Sequence, residues 1–240
     1  MGSRAVSRPF LATLAFAALA ALLAACGSSP TPVSSGSASA SSTNAPGSTG
    51  GTGAFACPGD APAEDVAAAA GLIDAANLAE NGTISPIQAI RFTPAGTLAA
   101  CRRLSDGVGG DALWAAAWVY ATGGTDPAPI LPLLAYDDPT IRAIAAAGVA
   151  SLGRPEGLDA LTELISVDAG LRGSLPPVTV ARYAAHTLSS LIDGAADSVG
   201  DVSTGTPEER SAATAAWTSW LEANRARVTF DPEAHLWQVR

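Results

Sequence analysis

Between Asp137 and Ile165 the apolar residues fall twice into helical spacing, interrupted by one glycine and one proline. Asp138 is placed to accept the first backbone N–H groups of a helix, and Pro139 occupies the first helical position, where its missing N–H costs nothing. Ile141, Ile144, Ala145, Val149 and Leu152 then form one stripe, and Gly153 supplies a stop. A turn through Arg154 and Pro155 opens a second stripe of Leu158, Leu161, Leu164 and Ile165. The pattern predicts two short helices joined by a tight turn. Over no comparable length does a strand-like alternation compete with it.

The same pattern occurs upstream. Trp114 to Ala135 lies over Ile144 to Ile165 at an offset of 30, matching Ala115–Ala117 with Ala145–Ala147, Val119 with Val149 and Gly123 with Gly153. Leu131 meets Leu161, and Leu134 meets Leu164. A third copy begins at Tyr183 at an offset of 39, its extra residues falling in the Gly/Pro-bearing connection around Asp168 to Pro177. A period near 30 residues points to stacked supersecondary units, each burying its apolar face on the next. The alanine runs allow helices to approach closely.

The stretch "DDPTIRAIAAAGVASLGRPEGLDALTELI", Asp137 to Ile165, resembles a short HEAT-type repeat of phycobilisome-lyase-like proteins. The resemblance covers about 110 to 192 and implies an all-α fold, a short α-solenoid of helical hairpins. Asp138 and Arg142 stand where that family places an acidic and basic pair. The first copy departs with Ala112 at the arginine position, and the third with Ala181, Arg182 lying one residue along. Pro132 is expected to kink or shorten the first copy's second helix.

The flanks read as helical caps for the ends of the array. Pro62 to Glu80 and Pro94 to Leu104 are expected to be helical, with a turn over Asn81 to Pro86. Thr206-Pro207-Glu208-Glu209 is a capping-box start for a helix running to about Arg225, with Trp217, Trp220 and Leu221 on one face. Arg227 to Val239 is expected to fold back over that helix. Asp193 to Thr206 reads as a solvated insertion. The resulting division is a cap over 55–108, repeats over 109–226 and a tail over 227–240.

The N-terminus follows different rules. Arg4 and Arg8 precede an apolar run from Phe10 to Leu22 that is short for a membrane span and suits a signal peptide. Leu23-Ala24-Ala25-Cys26-Gly27 then resembles the bacterial lipoprotein lipobox. That resemblance implies removal of residues 1–25, a diacylglyceryl group on the Cys26 thiol, and a lipid-anchored protein on the outer face of a bacterial cell membrane. Two or more acyl chains hold a protein stably where one does not. Residues 27–54 are nearly all Ser, Gly, Thr, Ala and Pro without charge, too polar to offset their chain entropy. They are expected to act as a flexible leash spanning roughly 30 Å.

Composition narrows the chemistry. Formal charge is −9, with 22 acidic residues against 13 basic ones; without residues 1–25 it becomes −11. An acidic domain is repelled by nucleic-acid phosphates and anionic lipid surfaces. Every basic residue is arginine. The absence of lysine excludes a Walker-A loop, a pyridoxal Schiff base and a Ser-x-x-Lys nucleophile. Once Cys26 is used for lipid, Cys57 and Cys101 remain, and an even pair in an exported chain is expected to form a disulfide, the alternative being two buried thiols.

Catalytic groups do not converge in the pattern. His186 lies on a helix and His235 in the tail; Ser151 lacks the first glycine of a nucleophile elbow; Asp193, Asp197 and Asp201 match no calcium loop. Trp114, Trp217 and Trp220 are expected in the core, whereas Trp118 aligns with positions of varying size and is expected at the surface. The sequence therefore points to a binding module without cofactor or enzymatic activity, tethered through Cys26, with Trp118, Arg142 and Arg172 as candidate contacts for a protein partner. A lyase-like enzyme and a purely architectural envelope factor are the alternatives.

Overall fold

The computed structural model describes residues 55–78, 84–174, 177–195, 199 and 204–240. The signal peptide, Cys26 and the leash lie outside them. So do Asn81 to Thr83, Asp197 and Asp201, and with them much of the expected turn and insertion.

The described chain is mostly helical, with one small sheet. Helices run over Ala63–Asp74 (α1), Ile84–Ile90 (α2), Pro94–Asp106 (α3) and Gly110–Gly123 (α4), followed by a 3-10 turn at Leu131–Ala135. Pro139–Ser151 (α5), Pro155–Leu164 (α6), Val180–Leu191 (α7) and Pro207–Asn224 (α8) complete the helices. Val228–Asp231 (β1) and Leu236–Val239 (β2) pair antiparallel, with Phe230 opposite Trp237.

The helix starts follow the side-chain chemistry. Asp138 accepts from Thr140 N and Ile141 N, and Thr179 accepts from Arg182 N. At α8 the full capping box forms between Thr206 and Glu209. The stretch with Pro132 is a 3-10 turn over Leu131–Ala135 rather than an α-helix, in line with the missing N–H and ring clash of an interior proline. Two boundaries differ from expectation. Helix α1 stops at Asp74, and the Leu78 N–H is instead taken by the Asp111 carboxylate at 2.8 Å. The expected turn over 81–86 gives way to helix from Ile84.

Helix α5 is the centre of the packing. From Thr140 to Ala150 every residue but Arg142 is buried. Ile141, Ile144, Ala145 and Val149 face one core with α1, α3 and α4. Ala143, Ala146 and Ala150 face a second core with α6, α7 and α8. A helix buried all round must meet its neighbours at small residues, and glycines mark both contacts. A Cβ on Gly148 would lie 2.6 Å from Ala121 Cβ of α4, and one on Gly157 of α6 would lie 2.3 Å from Ala150 N and 2.6 Å from Ala146 O.

Gly157 therefore offers a clean test, because two effects oppose each other. Alanine would add about 1 kcal/mol of helix propensity. The new methyl would meet backbone atoms that cannot swing aside, and such overpacking costs about 1–3 kcal/mol or more. Gly157→Ala is expected to be destabilised in urea denaturation. A variant at least as stable as the parent would contradict the close α5–α6 approach.

The tail, expected to fold back over the last helix, forms a β-hairpin whose Trp237 shares a core with Trp217 and Leu221 of α8 and which also covers the C-terminal end of α5. Trp237 Nε1 donates to Ala150 O at 2.9 Å, and its carbonyl accepts from Asp193 N at 2.8 Å. Phe230 packs against Gly153, whose φ of +79° ends α5 in the left-handed region and whose added Cβ would fall 2.5 Å from that ring. Four-residue strands carry too little alternation to stand out beside long helical stripes.

Candidate functional site

The α2–α3 corner, Arg91 to Thr93, is locked by hydrogen bonds of Thr93. Thr93 Oγ1 donates to Ile90 O at 2.9 Å and accepts from Gly96 N at 3.0 Å, while Thr93 N also donates to Ile90 O. Pro94 fixes the first helical residue of α3. Gly96 sits so close beneath the corner that a Cβ there would be 2.0 Å from Ile90 O. Arg91 and Phe92 project from this corner. The end of α4 is drawn against it at Gly123, where a Cβ would meet Thr97 Oγ1 at 2.4 Å and Arg91 O at 2.9 Å. That contact brings Trp118, on the preceding turns of α4, beside Arg91.

The three side chains form a cluster. The Arg91 guanidinium carbon lies 4.4 Å from the Phe92 ring centroid and 5.4 Å from that of Trp118, both within cation–π range. Trp118 in turn packs on the buried Trp114, with centroids 5.2 Å apart. Arg91 Nε is buried without a hydrogen-bond partner. Burial pushes the Arg91 pKa down from its ordinary value, though a guanidinium stays charged at any physiological pH. Phe92 is 60 % exposed, the most exposed large apolar side chain among the described residues.

The exposure of Phe92 has a local cause. It precedes the N-cap Thr93, where an apolar residue commonly packs on the fourth residue of the helix. Here that residue is Thr97, which offers little apolar surface. The ring is left facing solvent.

The other candidates are engaged within the chain. Arg142 does not pair with Asp138 as the family pattern implies; it lies 3.6 Å from Glu163 of α6. Asp138 pairs instead with Arg172, which also reaches Asp111 at 3.4 Å. The Arg172 N–H donates to Thr140 Oγ1 at 3.2 Å, so the long connection before α7 is sewn to the starts of α4 and α5. Both arginines hold helices together. Cys57 and Cys101 form a disulfide, their Cα atoms 5.6 Å apart, and Cys26 lies outside the described residues.

A second depression, of about 450 Å³, is lined by Ser166, Pro207, Arg210, Ser211, Thr214 and Ala215. Its buried Arg210 is occupied by Asp168 at 2.8 Å and Gly205 O at 3.2 Å. His186 and His235 are both exposed and stand on separate elements. Comparison with protein-family models, curated proteins and solved structures finds no match to this chain.

Of the three candidate contacts read from the sequence, Trp118 alone sits in a preformed aromatic surface, and its neighbours Arg91 and Phe92 were not singled out by pattern. The available signal was the Arg-Phe pair before a Thr-Pro helix start whose fourth residue is polar. Chemically the cluster presents a fixed cation and an open aromatic face.

Proposed function

We propose that this chain is a lipid-anchored, extracytoplasmic binding module, a short HEAT-like helical array that recognises a protein partner through Arg91, Phe92 and Trp118. The observation that carries the reading is the open Phe92 ring beside an arginine that also lies within cation–π range of Trp118. Arginine and large aromatics dominate the energetics of protein interfaces, and rigid ones lose little entropy on docking. The array is supported by the thirty-residue register and by packing between sequence neighbours, α3 on α4, α4 on α5, α5 on α6 and α6 on α7. The anchor rests on the lipobox at Cys26 and on the uncharged leash that precedes Phe55. Among the described residues no helix is long and apolar enough to cross a membrane.

A photocrosslinking side chain at position 92 of the full chain in its native cells tests this. It is expected to yield one discrete protein adduct that is absent when the crosslinker stands at the exposed Ala223 of α8. Palmitate labelling is expected in the parent and lost in Cys26→Ser. Equal or absent adducts from the two positions would refute recognition at this face, and undiminished labelling would refute the anchor.

A further inference from the structure

Resting on that reading of the surface, we infer that the partner segment presents a lone carboxylate beside an apolar side chain, the carboxylate gripped by the free edge of Arg91 and the apolar group laid on Phe92. The segment is otherwise neutral or basic.

Arg103, Arg142, Arg154, Arg172, Arg210 and Arg225 each have a carboxylate partner within the chain. Arg91, Arg102, Arg182, Arg227 and Arg240 show none among the described residues, and of these only Arg91 is half-buried rather than exposed, in a chain where acids outnumber bases 22 to 13. The surroundings of Arg91 explain this. Residues 81–105 carry Arg91, Arg102 and Arg103 and no acid, and residues 112–125 carry no charge at all. The corner and the α4 stretch beside it thus come from sequence that carries no acid between Glu80 and Asp106 or between Asp111 and Asp126. A guanidinium packed near two rings and half-buried loses part of its water, so its remaining hydrogen-bonding edge gains more from an anion than an exposed arginine would.

Geometry then selects the anion. Both rings lie within cation–π range of the guanidinium, and Nε is buried without a partner. Nη1 and Nη2 make no hydrogen bond with the described residues and are not enclosed, which leaves a two-pronged edge matched to the two oxygens of a carboxylate. The chain cannot supply that group from its N-terminal stretch, since its first acidic residue is Asp60. An anionic bilayer is a poor match, because one cation would have to outweigh the repulsion of the whole acidic domain. A single carboxylate on a neutral or basic segment meets no such penalty, and its apolar neighbour covers the 60 % exposed ring of Phe92.

The test uses the full lipidated chain in neutral detergent, its tryptophans labelled with fluorine. The probe is a dye-labelled peptide with Leu-Glu-Phe at its centre and Gly and Lys flanks; a second peptide replaces Glu with Gln. The Glu peptide is expected to bind saturably, shift the Trp118 resonance and bind about tenfold more tightly than the Gln peptide. Arg91→Gln should abolish that preference, Arg91→Lys should retain part of it, and the exposed Arg102→Gln should leave it intact. Equal binding of the two peptides, failure of both to bind, or equal losses in the Arg91 and Arg102 variants would overturn the inference. So would a stronger Arg91-dependent shift with phosphatidylglycerol vesicles, which would make the surface a membrane face. The crosslink at position 92 does not depend on the carboxylate. An adduct there alongside failed peptides would preserve the binding reading while removing this one.

Discussion

Trp217→Ala is expected to lower the unfolding free energy by about 3–5 kcal/mol, the range for deleting a fully buried aromatic. Trp217 is fully buried on α8, packs edge-on against Trp220 with centroids 6.0 Å apart, and belongs to the core that includes α5, α6 and α7. Helix α8 has only Arg210, Ala213, Trp217 and Leu221 as buried residues along 18 positions, so this one ring makes most of its attachment. Substitution by phenylalanine separates two contributions. The Trp217 Nε1 donor is buried without a partner, and an unmet buried donor costs about 1–3 kcal/mol. Trp217→Phe removes that liability while keeping an aromatic in the space, so its loss is expected to be well below that of alanine. Urea denaturation followed by far-ultraviolet circular dichroism gives both values. An alanine variant within about 1 kcal/mol of the parent would contradict the packing of α8 on this core.

Breaking the Cys57–Cys101 disulfide should cost a comparable amount. The bond closes a loop with a sequence separation of 44, and in the chain-entropy model a loop of that size contributes about 4 kcal/mol. Its mechanical role is specific. Cys101 is fully buried within α3, whereas Cys57 lies in the irregular segment before α1, just past the point where the leash ends. The bond therefore fixes where any tether enters the folded domain. Reduced protein, or the pair Cys57→Ser with Cys101→Ala, is expected to melt earlier and to be cleaved by protease before α1 first. Identical melting with and without reductant, once mass spectrometry shows two free thiols in the reduced sample, would refute the contribution. Loss of about 4 kcal/mol is a large share of the 5–15 kcal/mol that holds a domain folded.

Helix positions were legible because their causes are local. The caps at Asp138 and Thr206, the prolines that follow them and the stripe from Leu158 to Ile165 act within a few residues of themselves, and α5, α6 and α8 lie where these signals stand. The expected core tryptophans at 114 and 217 are buried for the same reason, since each completes an apolar stripe. The candidate contacts were less legible. Arg142 and Arg172 looked available because charge on a helix face gives no sign of what lies opposite, and their carboxylates come from other elements. Arg91 looked ordinary because its isolation depends on two stretches without acid, at the α2–α3 corner and along α4 after Asp111, lying together. The hairpin at the C-terminus escaped notice because each strand is only four residues long and is held by a tryptophan bonded across 87 positions.

From the chain alone follow the mostly helical class and the capped starts of α5 and α8, because dihedral preference, capping and apolar spacing act over one or two turns. Only the tertiary structure decided that α5 is buried on every side, that Gly148 and Gly157 set its distance from α4 and α6, and which arginines are neutralised. Those outcomes depend on contacts between residues far apart in sequence, whose pairing no local pattern encodes. The free edge of Arg91 belongs to this second group, since a charge is left unpaired only by everything that folds around it.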